Sequence, residues 1–401
     1  MDERLKDLLN DAEDRLRAGD VEGASKRFLA VVGEDRTVWP AYLGLARASL
    51  FLGLKDEAEA YAQAAMHVAP ERGEVQTMWG LIREAKGATK TALKFLKQGA
   101  EAAPDSFFTR YNQGRALAAE GHPREALPHL ERATAIDPES YEGWYALGVA
   151  RREAGEVGKA LQAFTRAMRV SPDNVDIYAT IADVLIATRD ADGAREVLEE
   201  GLARSGDDAA LLDKAAAVAF GQGDAAGAVS YLERLVARVP GYVRGWLNLA
   251  NLYILTKELE KSERAARRAL ELDPRSWEAH YHLGNLYEAM GPKLEAKAEQ
   301  AYRRAVELAP DDHRPLGNLG ALLIEMTDRK KNEEAVKVLD RAARLAPKGE
   351  WRIPYNLALA HAKLGDKRRA REVLRVIRTN APPGNEAVAL AGVLDANLSE
   401  G

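Results

Sequence analysis

At 401 residues the chain has room for two or three ordinary domains or one long repeat array, and it carries a formal net charge of −5. With 46% hydrophobic and 30% charged residues it has ample apolar material for a core, while the acidic balance argues against a free-standing nucleic-acid binder. The absence of cysteine excludes disulfides, thiol catalysis and cysteine-ligated zinc. Aromatics are only 6% and alanine is abundant, which suits close-packed helices better than sheets.

The chain opens on Met1-Asp2-Glu3-Arg4-Leu5-Lys6-Asp7, charged and with no apolar stretch behind it, so no secretory signal is expected. No run of about eighteen apolar residues follows anywhere, so no bilayer-spanning segment is expected and the cytoplasm is the expected location.

From Leu5 onward a proline marks a period. Pro70, Pro104, Pro138 and Pro172 are each 34 residues apart, as are Pro240 and Pro274. Pro172 and Pro240 are separated by 68, with Gly206 at the midpoint, and Pro310, Pro347 and Pro382 follow at 36, 37 and 35. A fixed spacing in this range marks stacked supersecondary units. Eleven units result: 5–38, 39–72, 73–106, 107–140, 141–174, 175–208, 209–242, 243–276, 277–312, 313–350 and 351–384. The stretch 1–384 is thus read as one array, and 385–401 as a capping helix and tail that covers the last exposed face.

Aligned on the proline, two columns hold only small residues. Position 8 reads Ala12, Ala46, Gly80, Gly114, Gly148, Ala182, Ala216, Ala250, Gly284, Gly320, Ala358. Position 20 reads Ala24, Ala58, Ala92, Ala126, Ala160, Ala194, Ala228, Ser262, Ala298, Ala335, Ala370. Small side chains at fixed places on two helices let the axes approach. Proline stops the second helix, and Gly53, Gly87, Gly121, Gly155, Gly223, Gly291 and Gly365 fall where the first helix wants a left-handed C-cap.

These columns resemble those of the tetratricopeptide repeat family. Unit five carries the pattern best, with Trp144, Leu147, Gly148, Gly155, Ala160, Phe164, Ala167 and Pro172 in the family's places. The resemblance runs from about Leu5 to Gly384. It implies an all-α, right-handed superhelical solenoid of helical hairpins whose first helices line a concave groove, with groove-facing side chains at positions 2, 5, 6, 9, 12 and 13.

Position 6 places Asn112, Asn248, Asn318 and Asn356 in that groove, with His282 in unit nine. Position 9 adds Asn251, Asn285, Arg47 and Arg115, and position 5 carries Tyr111, Tyr145, Tyr281 and Tyr355. An amide both donates and accepts, so a ladder of asparagines can pair with successive peptide groups, while tyrosine adds rigid area with a polar end. The ladder is similar to that of the peptide-guiding repeats attached to O-linked N-acetylglucosamine transferase, and it is densest in units eight to eleven. Ala146, Thr180 and Lys214 interrupt it in units five to seven. The alternatives are amides bonded within the helix pair, tyrosines packed between repeats and solvated arginines. The Lys/Asn/Arg set by which some relatives clamp a terminal carboxylate is not assembled in any three successive units.

Three departures from the pattern stand out. Unit six lacks its proline, and unit seven is rich in small residues, which predicts low local stability over 204–228. Units nine and ten are longer, with the extra residues expected in turns at Pro292-Lys293-Leu294 and Asp328 to Asn332. Pro128 falls inside the second helix of unit four, near its first turn, where the cost is smaller.

No catalytic or metal motif is present. The seven histidines (67, 122, 129, 280, 282, 313, 361) have no ligand spacing, and no phosphate-cradling or nucleophile-elbow glycine pattern occurs. The expectation is therefore a non-catalytic scaffold or adaptor, with no cofactor and no metal, whose groove holds an extended peptide or helix of another protein, with units eight to eleven as the main site. Two alternatives stand beside it. One is a structural assembly that self-associates end to end or through its edges; the basic stretch from His361 to Asn380 could meet an acidic partner or the acidic start of another copy, or simply be a solvated convex face. The other is a targeting module for a separately encoded glycosyltransferase or a secretion or motility machine.

Overall fold

The computed structural model describes residues 2–326, 328–380 and 386–400, and every regular element among them is helical. The chain divides into two compact units, Met1–Ser205 and Gly206–Gly401.

The N-terminal unit is a run of hairpins: α1 (Glu3–Arg17) with α2 (Val21–Glu34), α3 (Trp39–Phe51) with α4 (Lys55–Val68), and α5 (Gly73–Ala85) with α6 (Thr89–Ala102). It continues with α7 (Phe107–Ala119) and α8 (Pro123–Ile136), α9 (Tyr141–Glu153) and α10 (Val157–Val170), and α11 (Val175–Ala187) and α12 (Ala191–Ser205). Each helix packs on its hairpin partner, and first helices also meet the first helix of the next hairpin, as α5 meets α7 and α7 meets α9.

The C-terminal unit holds α13 (Ala209–Gly221) with α14 (Ala225–Arg238), α15 (Val243–Leu255) with α16 (Leu259–Leu272), and α17 (Trp277–Ala289) with α18 (Glu295–Leu308). Then come α19 (His313–Glu325) with α20 (Arg329–Leu345), α21 (Arg352–Lys363) with α22 (Lys367–Asn380), and the single helix α23 (Glu386–Glu400). Pro382, Pro383, Gly384 and Asn385, expected to join the last hairpin to its cap, lie outside the described residues. The cap packs as a helix should: Ala387, Ala391 and Leu398 bury against Ala370, Leu374 and Ile377. Asp395 takes Arg371 and Arg378 as ion-pair partners, so part of the basic charge on α22 is used within the chain.

The small-residue columns have a steric cause. A Cβ on Gly148 would fall 2.6 Å from the Phe164 ring, and one on Gly284 would collide with Tyr302. The first helix lies so close because the large residue of the second helix fills the glycine's place. The proline column has a second use besides stopping helices. Its carbonyl accepts a side-chain hydrogen bond from six residues further on: Gln76 to Pro70 (3.0 Å), Arg110 to Pro104 (2.9 Å), Trp144 to Pro138 (2.9 Å), Tyr178 to Pro172 (2.8 Å) and Trp246 to Pro240 (2.9 Å). A carbonyl that the ended helix leaves without a partner is thereby satisfied, which fixes the next hairpin's entry.

The departures resolve individually. Pro292–Leu294 forms a 3-10 turn, whereas Arg329 to Asn332 are helical and lengthen α20 to 17 residues behind the N-cap Asp328. The expected turn at 328–332 is corrected: its lysines and asparagine propagate a helix once Asp328 caps it, Asp328 accepting from the Lys330 amide at 2.9 Å. Pro128 is the sixth residue of α8, beyond the first turn, and the helix nonetheless runs through to Ile136. The small residues of α13 do not thin the core at unit seven, because α14 answers with Val229, Tyr231, Leu232, Leu235 and Val236, all buried.

Ends of first helices take a left-handed residue, as at Gly155 (φ 84°), but Arg189 (φ 64°) and Lys257 (φ 62°) occupy the same register without being glycine. An L-residue there costs about 1–2 kcal/mol, offset in part by glycine's greater unfolded entropy. Lys257→Gly is therefore expected to stabilise the C-terminal unit by roughly 0.5–1 kcal/mol, read as a melting temperature higher by about 1–4 °C. A lower melting temperature than the parent's would count against the strain.

Candidate functional site

In the N-terminal unit, α7, α9 and α11 present one face of successive first helices and enclose a groove of ≈ 460 Å³. Three tyrosines line it: Tyr111 from α7, and Tyr141 and Tyr145 from α9. Each is held. The Tyr111 ring stacks on Phe107 with centroids 5.5 Å apart and planes 8° from parallel. The Tyr145 ring leans on buried Phe164 (5.5 Å), and its hydroxyl shares a 3.2 Å hydrogen bond with the Thr180 hydroxyl. Burial raises the Tyr111 and Tyr141 hydroxyl pKa values above their ordinary level, and the Glu142 carboxylate pushes both the same way. Tyr111 and Tyr141 are thus held in the neutral, hydrogen-bond-donating form.

Arg115 also lines the groove, but its guanidinium donates to both oxygens of Glu84 at 3.1 and 2.6 Å. Burial works against its charge, and the Glu84 carboxylate outweighs that and raises its pKa. Arg47 makes the same kind of contact with Glu13, at 2.9 and 3.2 Å. Both arginines link neighbouring hairpins.

The asparagine row is not uniform. Asn112 is buried, 6% exposed, and donates to the Phe108 carbonyl one turn back in its own helix (2.7 Å). Asn318 donates to Asn285 Oδ1 (2.8 Å) and to the Tyr281 hydroxyl (3.3 Å). The Tyr302 hydroxyl lies 2.8 Å from the same Asn285 oxygen and 2.7 Å from Glu288. Asn285, Asn318 and Tyr281 are therefore knitted into a network between α17, α18 and α19. His282 packs by Tyr281, with ring centroids 5.6 Å apart. Tyr355 sets its ring against Trp351 and packs on the core under the cap.

Asn248, Asn251 and Asn356 carry no side-chain hydrogen bond among the described residues. The first two line a smaller cleft of ≈ 190 Å³ between α13 and α15, beside Asp213, Phe220 and Arg244. Phe220 there is 49% exposed. A cleft of ≈ 570 Å³ between α16, α17 and α18 has a different character. Its arginines are spent on neighbours: Arg267 on Glu263, Arg303 on Glu299 and Glu334, Arg304 on Glu307.

Sequence reading placed Tyr111, Tyr145 and Arg115 in the groove but did not single out Tyr141, Glu142, Glu153, Asp176 or Phe220. Glu142 and Asp176 stand at position 2 and Glu153 at position 13, so the family's groove columns carried the signal. No group of three or more His, Asp or Glu side chains among the described residues is placed to hold a metal ion. No helix among them is long and apolar enough to cross a membrane.

The family model described as cytochrome c-type biogenesis protein H TPR domain matches residues 129–242. Three tetratricopeptide repeat models match 219–268, 107–150, and 258–313 with 328–385. No curated protein sequence matches the chain. Among solved structures it is similar to yeast Tom70, at 14% identity and a TM-score of 0.48 over 99% of this chain and 96% of that one. It is also similar to pilF of Pseudomonas aeruginosa (20% identity, TM-score 0.44, 54% and 96%) and to MamA of Desulfovibrio magneticus RS-1 (20%, 0.38, 43% and 97%). The repeat models together span well over half of the residues, so the chain belongs to the tetratricopeptide repeat family.

Proposed function

We propose that this protein is a non-catalytic scaffold or adaptor that binds an extended peptide or a helix of another protein along its first helices. The main site is the groove of α7, α9 and α11, rather than units eight to eleven. One observation supports this above the others: three tyrosines from the consecutive first helices α7 and α9 wall a groove of ≈ 460 Å³, and Tyr111 and Tyr145 are braced from behind by Phe107 and Phe164. Rigid aromatic surface in a groove is the usual anchor of a protein interface, since it contributes contact area at little entropic cost. The amides of Asn285 and Asn318 already spend bonding capacity within the chain, whereas Asn248, Asn251 and the exposed ring of Phe220 extend a second patch in the C-terminal unit.

A photo-cross-linking amino acid at Val149, which lines the groove, tests this against the same group at Arg166, exposed on α10. In cells that make the protein natively, position 149 is expected to capture one polypeptide whose cross-linked segment maps to a single stretch by mass spectrometry. Capture of that polypeptide from position 166 with none from 149 would overturn the reading.

A further inference from the structure

The groove of α7, α9 and α11 combines its tyrosine wall with carboxylates. Glu142, Glu153 and Asp176 all line it, and none of the three has an ion-pair partner among the described residues. Two other carboxylates on that face do find intramolecular cations, Glu13 with Arg47 and Glu84 with Arg115. The cation that does reach the groove, Arg115, is already neutralised by Glu84. Glu142 accepts only a hydroxyl hydrogen bond, from Ser140 at 3.0 Å, and no cation pairs with it among the described residues. Glu142 and Asp176 both act electrostatically on the Tyr141 hydroxyl, which puts them around the tyrosine wall rather than remote from it.

We infer that this groove seats a cationic side chain, lysine or arginine, of the bound segment. A tyrosine ring attracts a cation to its face, because the ring quadrupole puts negative charge there. Three tyrosines and the apolar floor of Ala146, Val149 and Ile177 suit the methylene stem of such a residue, while the carboxylates meet its charged end. An acidic segment meets the opposite field: its carboxylate would approach three unpaired ones and lose solvation without compensation. Leucine would fill the volume and leave the carboxylates as they are. The inference rests on the groove being the binding site, and the test separates the two.

The experiment titrates the full chain with four capped, fluorescein-labelled peptides of alanine, glycine and serine, identical except for a central Arg, Lys, Leu or Glu. At low salt the Arg and Lys peptides are expected to bind at least ~10-fold more tightly than the Leu peptide, and the Glu peptide most weakly. Raising the salt to about 0.5 M narrows the gap, because the carboxylates are exposed to screening. The Glu142→Gln/Asp176→Asn double variant, both positions exposed, keeps its helix content by circular dichroism. It is expected to reduce the Arg-to-Leu ratio to ~3-fold or less. Equal affinities for the Arg and Leu peptides, an Arg preference that survives the double substitution, or no Arg-peptide binding up to ~1 mM each overturn the inference. If peptides fail to discriminate while position 149 still captures its partner, the groove reading stands and the cation does not. If position 149 captures nothing, the groove reading itself falls.

Discussion

Replacing Phe164 by alanine is expected to lower the stability of the N-terminal unit by roughly 3–5 kcal/mol. The ring is fully buried, packed among Ala160, Ala167, Ile177 and Ile181, and it occupies the space that Gly148 leaves opposite it. Gly148 has no side chain to fill the void, and moving α9 toward α10 would break its contacts with α7 and α11. The loss therefore combines the transfer term with a cavity term. In a unit of about two hundred residues this corresponds to a melting temperature lower by roughly 6–20 °C. The damage is local in a repeat array, since each hairpin contacts only its neighbours. Amide exchange is expected to accelerate in α9, α10 and α11 while α1 to α4 keep their protection. The groove suffers with the core, because Tyr145 rests on this ring, so cross-linking from position 149 should fall as well. A change in unfolding free energy below about 1 kcal/mol would mean that the hairpin closes over the void, and the account of Gly148 would be wrong.

The fold was legible in the sequence because its governing contacts recur at a constant offset. Gly148 and Phe164 are sixteen residues apart, and so are Gly114 and Leu130, and Gly80 and Leu96, each pair in steric register. Such a constraint acts on residue type at a fixed position and leaves a visible column. The left-handed position after the first helix also left a column, but Arg189 and Lys257 break it, since an L-residue accepts that conformation at a cost the rest of the hairpin absorbs. The groove was less legible for a different reason. Columns say which face a side chain is on and not what it bonds to, and Asn318 reaches Asn285 and Tyr281 in the hairpin before it, across an irregular spacing made by the longer ninth unit. Asn112, on the same column, instead turns back to its own helix. The unpaired state of Glu142, Glu153 and Asp176 depends on where every nearby arginine goes, which is a property of the packed array and of no single repeat.

His282 shows how such a groove position becomes a stability determinant instead. Its side chain sits in the ladder column, but the ring is largely buried beside Tyr281, and Nδ1 is buried without a hydrogen-bond partner. Burial, with the nearby Arg314 guanidinium adding to it, pushes the imidazole down to about 4. The unfolded chain binds a proton below its ordinary value near 6.5 while the folded chain does not, so stability rises with pH across that interval and is lost as pH falls from 6.5 toward 4. The full shift would correspond to about 3 kcal/mol, and partial solvent access to the ring brings the expected loss to roughly 2–3 kcal/mol. His282→Phe keeps the ring's bulk and removes both the titration and the unsatisfied nitrogen. Urea unfolding of the C-terminal unit, followed at pH 7 and at pH 4.5, should therefore show the parent losing stability more steeply than the variant. The carboxylates with lowered pKa values, among them Glu299, Asp312 and Glu334, are common to both proteins and cancel in the difference. Parallel pH profiles for the two would show that His282 is protonated in the folded chain at pH 4.5, and that its ring is held by solvent rather than by the packing of α17 on α18 and α19.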